Sequence, residues 1–298
     1  MSVPDPFLFC VFHLDRYPAG HADHMFAPRR GNGSDFDWSQ PYRLYHGSRV
    51  PGFPRHPHRG FETLTIVLRG LVDHADSLGS SGRYGEGDMQ WLTAAAGVQH
   101  QEMFPLVRTD APNTLHLYQL WLNLPAASKL SPPGYAMQWA ETVKRVDGEG
   151  GAHARVYAGA LGGATGCPPP PHSWAAETGA DVGAFVVRLP PGSAFTLPPA
   201  AGGDGTARVA LVTLGAGVEV EGEATPRRAR VALRGGAPAR LHNAAAEDAE
   251  VLCLQGRPIG EPVAQRGPFV MNTAAELRRA MMDYQATEFG GWPLCVGP

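Results

Sequence analysis

Lysine is close to missing from this chain: Lys129 and Lys144 are the only two among its 25 basic residues, and the rest are arginine. No dense basic run makes up for this, and the formal net charge is −3. A nucleic-acid surface needs a clustered basic patch, so direct binding to DNA or RNA is not expected. Long apolar runs are missing too. None approaches the roughly 20 residues of a membrane span. The opening MSVPDPFLFCVFHLDR has no basic start and only a short apolar stretch, so neither a membrane anchor nor a signal peptide is expected. The four cysteines, Cys10, Cys167, Cys253 and Cys295, lie far apart and form no C-x-x-C pair. That argues against a thiolate zinc site and a disulfide framework, and fits a reducing, cytoplasmic setting.

What the chain does have is glycine and proline, 37 and 28 residues, spread along its length between short apolar stretches. That is the punctuation of many strands and turns. Strands are expected over 7–12, 42–45, 61–68, 71–76, 89–93 and 115–124, then again over 183–189, 193–197, 209–214, 218–220, 230–233 and 251–254. At 298 residues, with 43% hydrophobic content, the chain is long enough for two domains, placed at 1–140 and 141–298. The fold class expected is all-β, an antiparallel barrel or sandwich in each half. A polar arm from His21 to Trp38 reads as an irregular surface excursion, and CPPPPH (167–172) as a rigid linker or surface loop. One helix is expected, at about 273–289. Thr273 and Glu276 form a capping box, Leu277, Ala280, Met281 and Tyr284 make one apolar face, and Gly290-Gly291 ends it.

Histidine carries the chemistry. Nine of the twelve lie before residue 150, so only the first half is equipped to hold a metal. His56 and His58 stand two apart, and in an extended chain residues i and i+2 share a face, roughly 7 Å apart. The same parity continues through Glu62, Leu64, Ile66 and Leu68, placing the pair at one end of an apolar face, as at a barrel mouth. His100 and Glu102 repeat the spacing on a second strand. Imidazoles and a carboxylate without thiolate suit Fe(II), Mn, Co, Ni, Cu or Zn. Spacing leaves two candidates for the carboxylate, Glu62 and Glu102. His21 and His24, on a loop, read as solvated side chains.

The blocks HPHRGFET (56–63), GDMQWLTAAAGVQHQE (87–102), LYQLWLNLP (117–125) and GPFVMNTAAELRRAMMDYQ (267–285) together resemble the pirin family of the cupin superfamily. The resemblance spans both halves. It implies a bicupin: two facing cupin (double-stranded β-helix, jelly-roll) barrels, a metal only in the N-terminal one, and a short C-terminal helix. It also implies iron held by His56, His58, His100 and Glu102, with Glu62 left as a carboxylate of the barrel interior or beside the ligands. Pirins include quercetin 2,3-dioxygenases and regulatory proteins, some of them iron-dependent partners of transcription factors.

The function expected is therefore an Fe(II) dioxygenase acting on a flavonol such as quercetin, with O2-dependent ring cleavage and release of carbon monoxide. Glu102 would accept the substrate's hydroxyl proton, and Leu64, Ile66 and Leu68 would exclude water. The alternative is an iron-dependent regulatory binding protein that acts through a protein partner without turnover. Monomeric behaviour is expected in either case. The thirty or so residues between 22 and 50 exceed what the shortest pirins carry there, and an arm in that place would cover the metal pocket.

Overall fold

The structure is a computed structural model that describes residues 2–21, 23–26 and 37–292. The first half forms two antiparallel sheets. One has the order β1-β8-β3-β6-β9, made of β1 (Phe7–Tyr17), β3 (Phe61–Arg69), β6 (Met89–Thr93), β8 (Asn113–Asn123) and β9 (Gly134–Gln138). The other has the order β2-β7-β4-β5, from β2 (Gly52–His58), β4 (Leu71–Asp76), β5 (Ser81–Gly85) and β7 (Val98–Met103). The second half repeats the plan. A six-stranded sheet faces a four-stranded one whose order is Ala194–Leu197, Ala239–Asn243, Val218–Val220, Glu223–Ala224. These are two cupin barrels of the same topology.

Their interiors differ. The second barrel is filled by Phe185, Phe195, Leu197, Val218, Leu241 and their apolar neighbours, and among the described residues no histidine of that half is buried. In the first barrel, Tyr17, Tyr42, Leu44, Tyr45, Tyr84 and Phe104 pack one end. The rest of its interior mixes buried polar side chains, His58, His74, His100 and Glu102 among them, with a smaller apolar share.

Between the barrels lies a third core, where Phe12, Leu64, Ile66, Trp91, Tyr118 and Leu120 meet Tyr157, Val186, Val209, Leu211 and Leu252. This corrects the parity reading. Leu64 and Ile66 do not continue the histidine face; they point away from it, into the second barrel. The parity breaks at Arg59-Gly60, where β2 of one sheet gives way to β3 of the other and the chain turns through a positive φ at Gly60. Water exclusion at the histidines thus falls to other residues.

Three further expectations change. Residues 42–45 form no strand. The Arg43 N–H and Nε both donate to Asp15 Oδ1, at 2.6 and 3.2 Å, so a buried carboxylate takes the backbone donor a ladder would need. The proline run is no free surface loop. Cys167 and Pro170 are buried, and Ser173, just beyond it, reaches the interior of the barrel–barrel contact. The helix, α1 (Ala274–Thr287), has the expected capping box but ends on Glu288 in the left-handed region, before the glycines. Trp38 stacks on Phe12 and lies between the guanidinium groups of Arg43 and Arg228, toward the second barrel. The part of the arm at 27–36, and Cys295, lie outside the described residues; Cys10, Cys167 and Cys253 are buried.

Although it belongs to the C-terminal half of the chain, α1 closes on the first barrel. The Arg59 N–H donates to Pro268 O and its carbonyl accepts from Val270 N–H, while its side chain pairs with Asp283 at 2.8 Å. Leu277 and Ala280 are the buried face.

Leu64 is fully buried between the barrels, so Leu64→Ala leaves a cavity there and is expected to cost about 2–5 kcal/mol in denaturant unfolding. Because the side chain points away from the histidines, the metal-to-protein ratio of the purified variant is expected to equal that of the parent. A variant that loses metal in proportion to its stability would contradict this placement.

Candidate metal centre

β2 and β7 are antiparallel neighbours, and their register sets His56 directly across from His100. A bulge between Phe53 and His56 adjusts the approach. The outcome is that the Nε2 atoms of His56 and His58 lie 3.1 Å apart, and those of His56 and His100 3.0 Å apart. Metal–imidazole bonds of about 2.0–2.1 Å place two donors about 3.0 Å apart at a right angle and about 3.4 Å apart at a tetrahedral angle. His56 Nε2 therefore fits a corner adjacent to each of the other two donors on a six-coordinate ion, and all three lie within 4.8 Å of one another.

Each ring is set up to offer a lone pair. His56 Nδ1–H donates to Pro54 O at 2.8 Å, which directs the lone pair to Nε2. Burial, reinforced by the neighbouring His56, holds His58 well below the usual imidazole range; burial and then His56, His58 and His74 do the same for His100. Both are neutral at physiological pH. Two neutral imidazoles meeting a third at one point is an arrangement that a cation relieves. His58 and His100 are buried and His56 is half-buried, so the opening lies on the His56 side.

Glu102 stands just outside this group, with Oε2 4.0 Å from His100 Nε2. Its two oxygens are held separately: Oε1 accepts from the Thr65 hydroxyl at 3.2 Å, and Oε2 from Gln119 Nε2 at 2.9 Å. Thr65 and Gln119 come from β3 and β8 of the facing sheet, so the carboxylate is braced across the barrel. Burial and the Glu102 charge keep the Tyr84 hydroxyl protonated, well above the ordinary phenol range. Phe61 and Trp121 pack at 4.4 Å between ring centres, and both lie against His58, giving the pocket an aromatic wall.

Glu62 is elsewhere. It lies on the opposite face of β3, fully buried between the barrels. Oε1 accepts from Trp91 Nε1 at 3.1 Å and Thr93 Oγ1 at 2.6 Å, and Oε2 from the Ser173 hydroxyl at 2.8 Å. Burial raises its carboxyl to about 7 against those three hydrogen bonds, which lower it. It is neither a metal-facing group nor a carboxylate of the barrel interior.

Sequence reasoning missed the pair His74 and Asp76. They sit on β4 opposite Glu102 and His100, bond to each other at 3.0 Å and are buried. The signal was there, a third i,i+2 pair on a strand. His21, Asp23 and His24 also gather, but on a turn where all three are exposed.

A double-barrel cupin with one imidazole-lined interior is the class these features define. The profile of the family described as pirin matches residues 22–122, and that of the pirin C-terminal cupin domain matches 184–290. The chain belongs to the pirin family. It is 38% identical to a pirin-like protein of Caulobacter vibrioides, over 80% of each chain. A Pseudomonas aeruginosa relative, 35% identical over 85% of this chain and 84% of its own, carries quercetin 2,3-dioxygenase as a provisional name. A crystal structure titled quercetin 2,3-dioxygenase, from Acinetobacter baumannii, superposes with a TM-score of 0.76 at 32% identity, covering 96% of this chain and 87% of that one.

The Glu62 environment gives a pH test. A carboxyl in the unfolded chain ionises near 4.5, whereas in the folded protein Glu62 keeps its proton up to about 7. Below pH 4.5 both states are protonated and the group adds no pH dependence. As pH rises from about 4.5 to 7, the unfolded chain loses the proton first and stability falls, by on the order of 3 kcal/mol. Glu62→Gln cannot ionise. Its melting temperature relative to the parent is therefore expected to improve between about pH 5 and 7 and then level off, and a constant difference would contradict the buried, protonated carboxyl.

Proposed function

We propose that this protein is a metal-dependent dioxygenase of the quercetin 2,3-dioxygenase type, with Fe(II) held by His56, His58, His100 and Glu102. The observation that carries the reading is the meeting of three imidazole Nε2 atoms, with separations of 3.0 and 3.1 Å from that of His56, beside a carboxylate braced on both oxygens. A nitrogen–oxygen donor set without thiolate favours a borderline first-row ion over a structural zinc. Bound there, the ion supplies Lewis-acid polarisation of a substrate oxygen and a redox partner for O2.

The protein's own groups do the rest. Glu102 accepts the proton of the substrate's enolic hydroxyl. Thr65 and Gln119 fix the direction of its lone pairs, so the proton moves to a carboxylate already in position. The Phe61 and Trp121 rings offer a flat apolar surface to a planar polyphenol. Buried Tyr84 and the core behind it keep water from the far side of the pocket. The half-buried edge of His56 marks the way in.

Iron-loaded protein is expected to consume O2 with quercetin and release carbon monoxide, and His100→Ala to lose both metal and turnover. A chelator followed by dialysis should stop the reaction, and added Fe(II) should restore it. No turnover above free Fe(II) at full iron occupancy would overturn the proposal in favour of a binding protein.

Gln119→Leu separates positioning from metal binding. Losing a hydrogen bond to a charged group costs about 1.5–3 kcal/mol, so kcat should fall roughly ten- to a hundredfold while iron content stays full. An unchanged kcat would show that Gln119 does not position the carboxylate.

A further inference from the structure

We propose that a cleft at the rim of the first barrel, apart from the imidazole group, binds an aromatic anion. The cavity measures about 760 Å³ and gathers three arginines from three places: Arg16 at the end of β1, Arg69 at the end of β3, and Arg108 on the loop before β8. Tyr17, Tyr42 and Pro112 supply apolar wall. No aspartate or glutamate among the described residues lines it. Among the described residues none of the three guanidinium groups is within ion-pair distance of a carboxylate, whereas Arg43, Arg59, Arg83 and Arg145 each are. Glu86, the one acid among the described residues of the adjoining recess, accepts the Gly70 N–H at 2.8 Å.

The position of Arg108 is built. Its N–H donates to Asn113 Oδ1 at 2.8 Å, its carbonyl accepts from Asn113 Nδ2 at 2.9 Å, and Gly20 N–H donates to the same carbonyl at 2.8 Å. Arg16 is tied by strand register to Thr114, on the cleft floor. Three like charges held together without a counter-charge raise the local potential, and an anion entering between them is favoured. Guanidinium forks match the planar or tetrahedral oxygens of a carboxylate, sulfonate or phosphate. A cavity of this size holds more than a bare anion, and its tyrosine and proline surfaces suit a planar apolar body. Tyr17 and Tyr42 also belong to the packed aromatic end of the barrel, so filled core separates the cleft from the imidazoles.

The probe is 1-naphthyl phosphate, titrated calorimetrically into full-length, metal-loaded protein at low salt. Saturable 1:1 binding is expected. Arg69→Gln with Arg108→Gln should weaken it at least tenfold, and Arg16→Gln, made separately, should weaken it as well. All three side chains are exposed, so the melting temperature should not move. Arg145→Gln, an exposed arginine on the second barrel, and His100→Ala, at the metal centre, should leave the affinity as it was. Inorganic phosphate and neutral 1-naphthol should each bind at least tenfold more weakly than the ester. Undiminished binding in the arginine variants, loss of binding in His100→Ala, or equal affinity for either half of the probe would overturn the proposal.

Discussion

At Gly60 the backbone takes a φ of +86°, and the carbonyl oxygen of Val270 lies 1.9 Å from where any Cβ would stand. Only glycine fits both conditions. The rest of the first barrel is arranged around that point. On one side of it the chain belongs to the sheet carrying His56 and His58. On the other it belongs to the sheet whose outer face holds Glu62, Leu64 and Ile66. One residue thus divides the polar interior that can hold a cation from the apolar surface that holds the barrels together. The strand end that crowds it, Gly267 to Met271, also satisfies the backbone of Arg59, and α1 follows and closes over Arg59.

Two carboxylates forty residues apart, on strands of facing sheets, show what that division does. Glu102 and Glu62 are both buried, and both accept hydrogen bonds on each oxygen. Glu102 looks into the first barrel, where neutral imidazoles surround a point that a positive ion would occupy. Glu62 looks into an apolar contact with no positive partner, so burial works against its ionised form. The same residue type therefore faces a cluster of imidazoles from β7 and an apolar barrel contact from β3, in two opposite environments of one barrel.

Much of this was legible in the residues. Alternation located strands such as 89–93 and 183–189, and the two i,i+2 pairs located the imidazole group, because both rest on the local period of an extended chain. What could not be read was any property that depends on which sheet a strand joins. Glu62, Leu64 and Ile66 keep the parity of His56 by count and lose it at a junction that only a distant segment explains. Tyr42 and Tyr45 look like strand residues, yet a buried aspartate on β1 takes the donor of Arg43. Ser173 follows a proline run that resembles a linker, and its role exists only because Glu62 lies across the barrel contact. His74 and Asp76 were visible as a pair, but nothing local shows that β4 lies beside β7.

The return of the C-terminal segment to the first barrel bears on how the chain can be made and divided. Arg59 finds partners for its N–H and carbonyl in Pro268 and Val270, more than two hundred residues later. A nascent chain that has emerged only as far as Gln138 has every strand of the first barrel and still lacks those partners, as well as the helix that covers Arg59. Gene duplication or domain shuffling that cut between the barrels would export an incomplete unit. The two barrels repeat one topology, but they are not interchangeable parts.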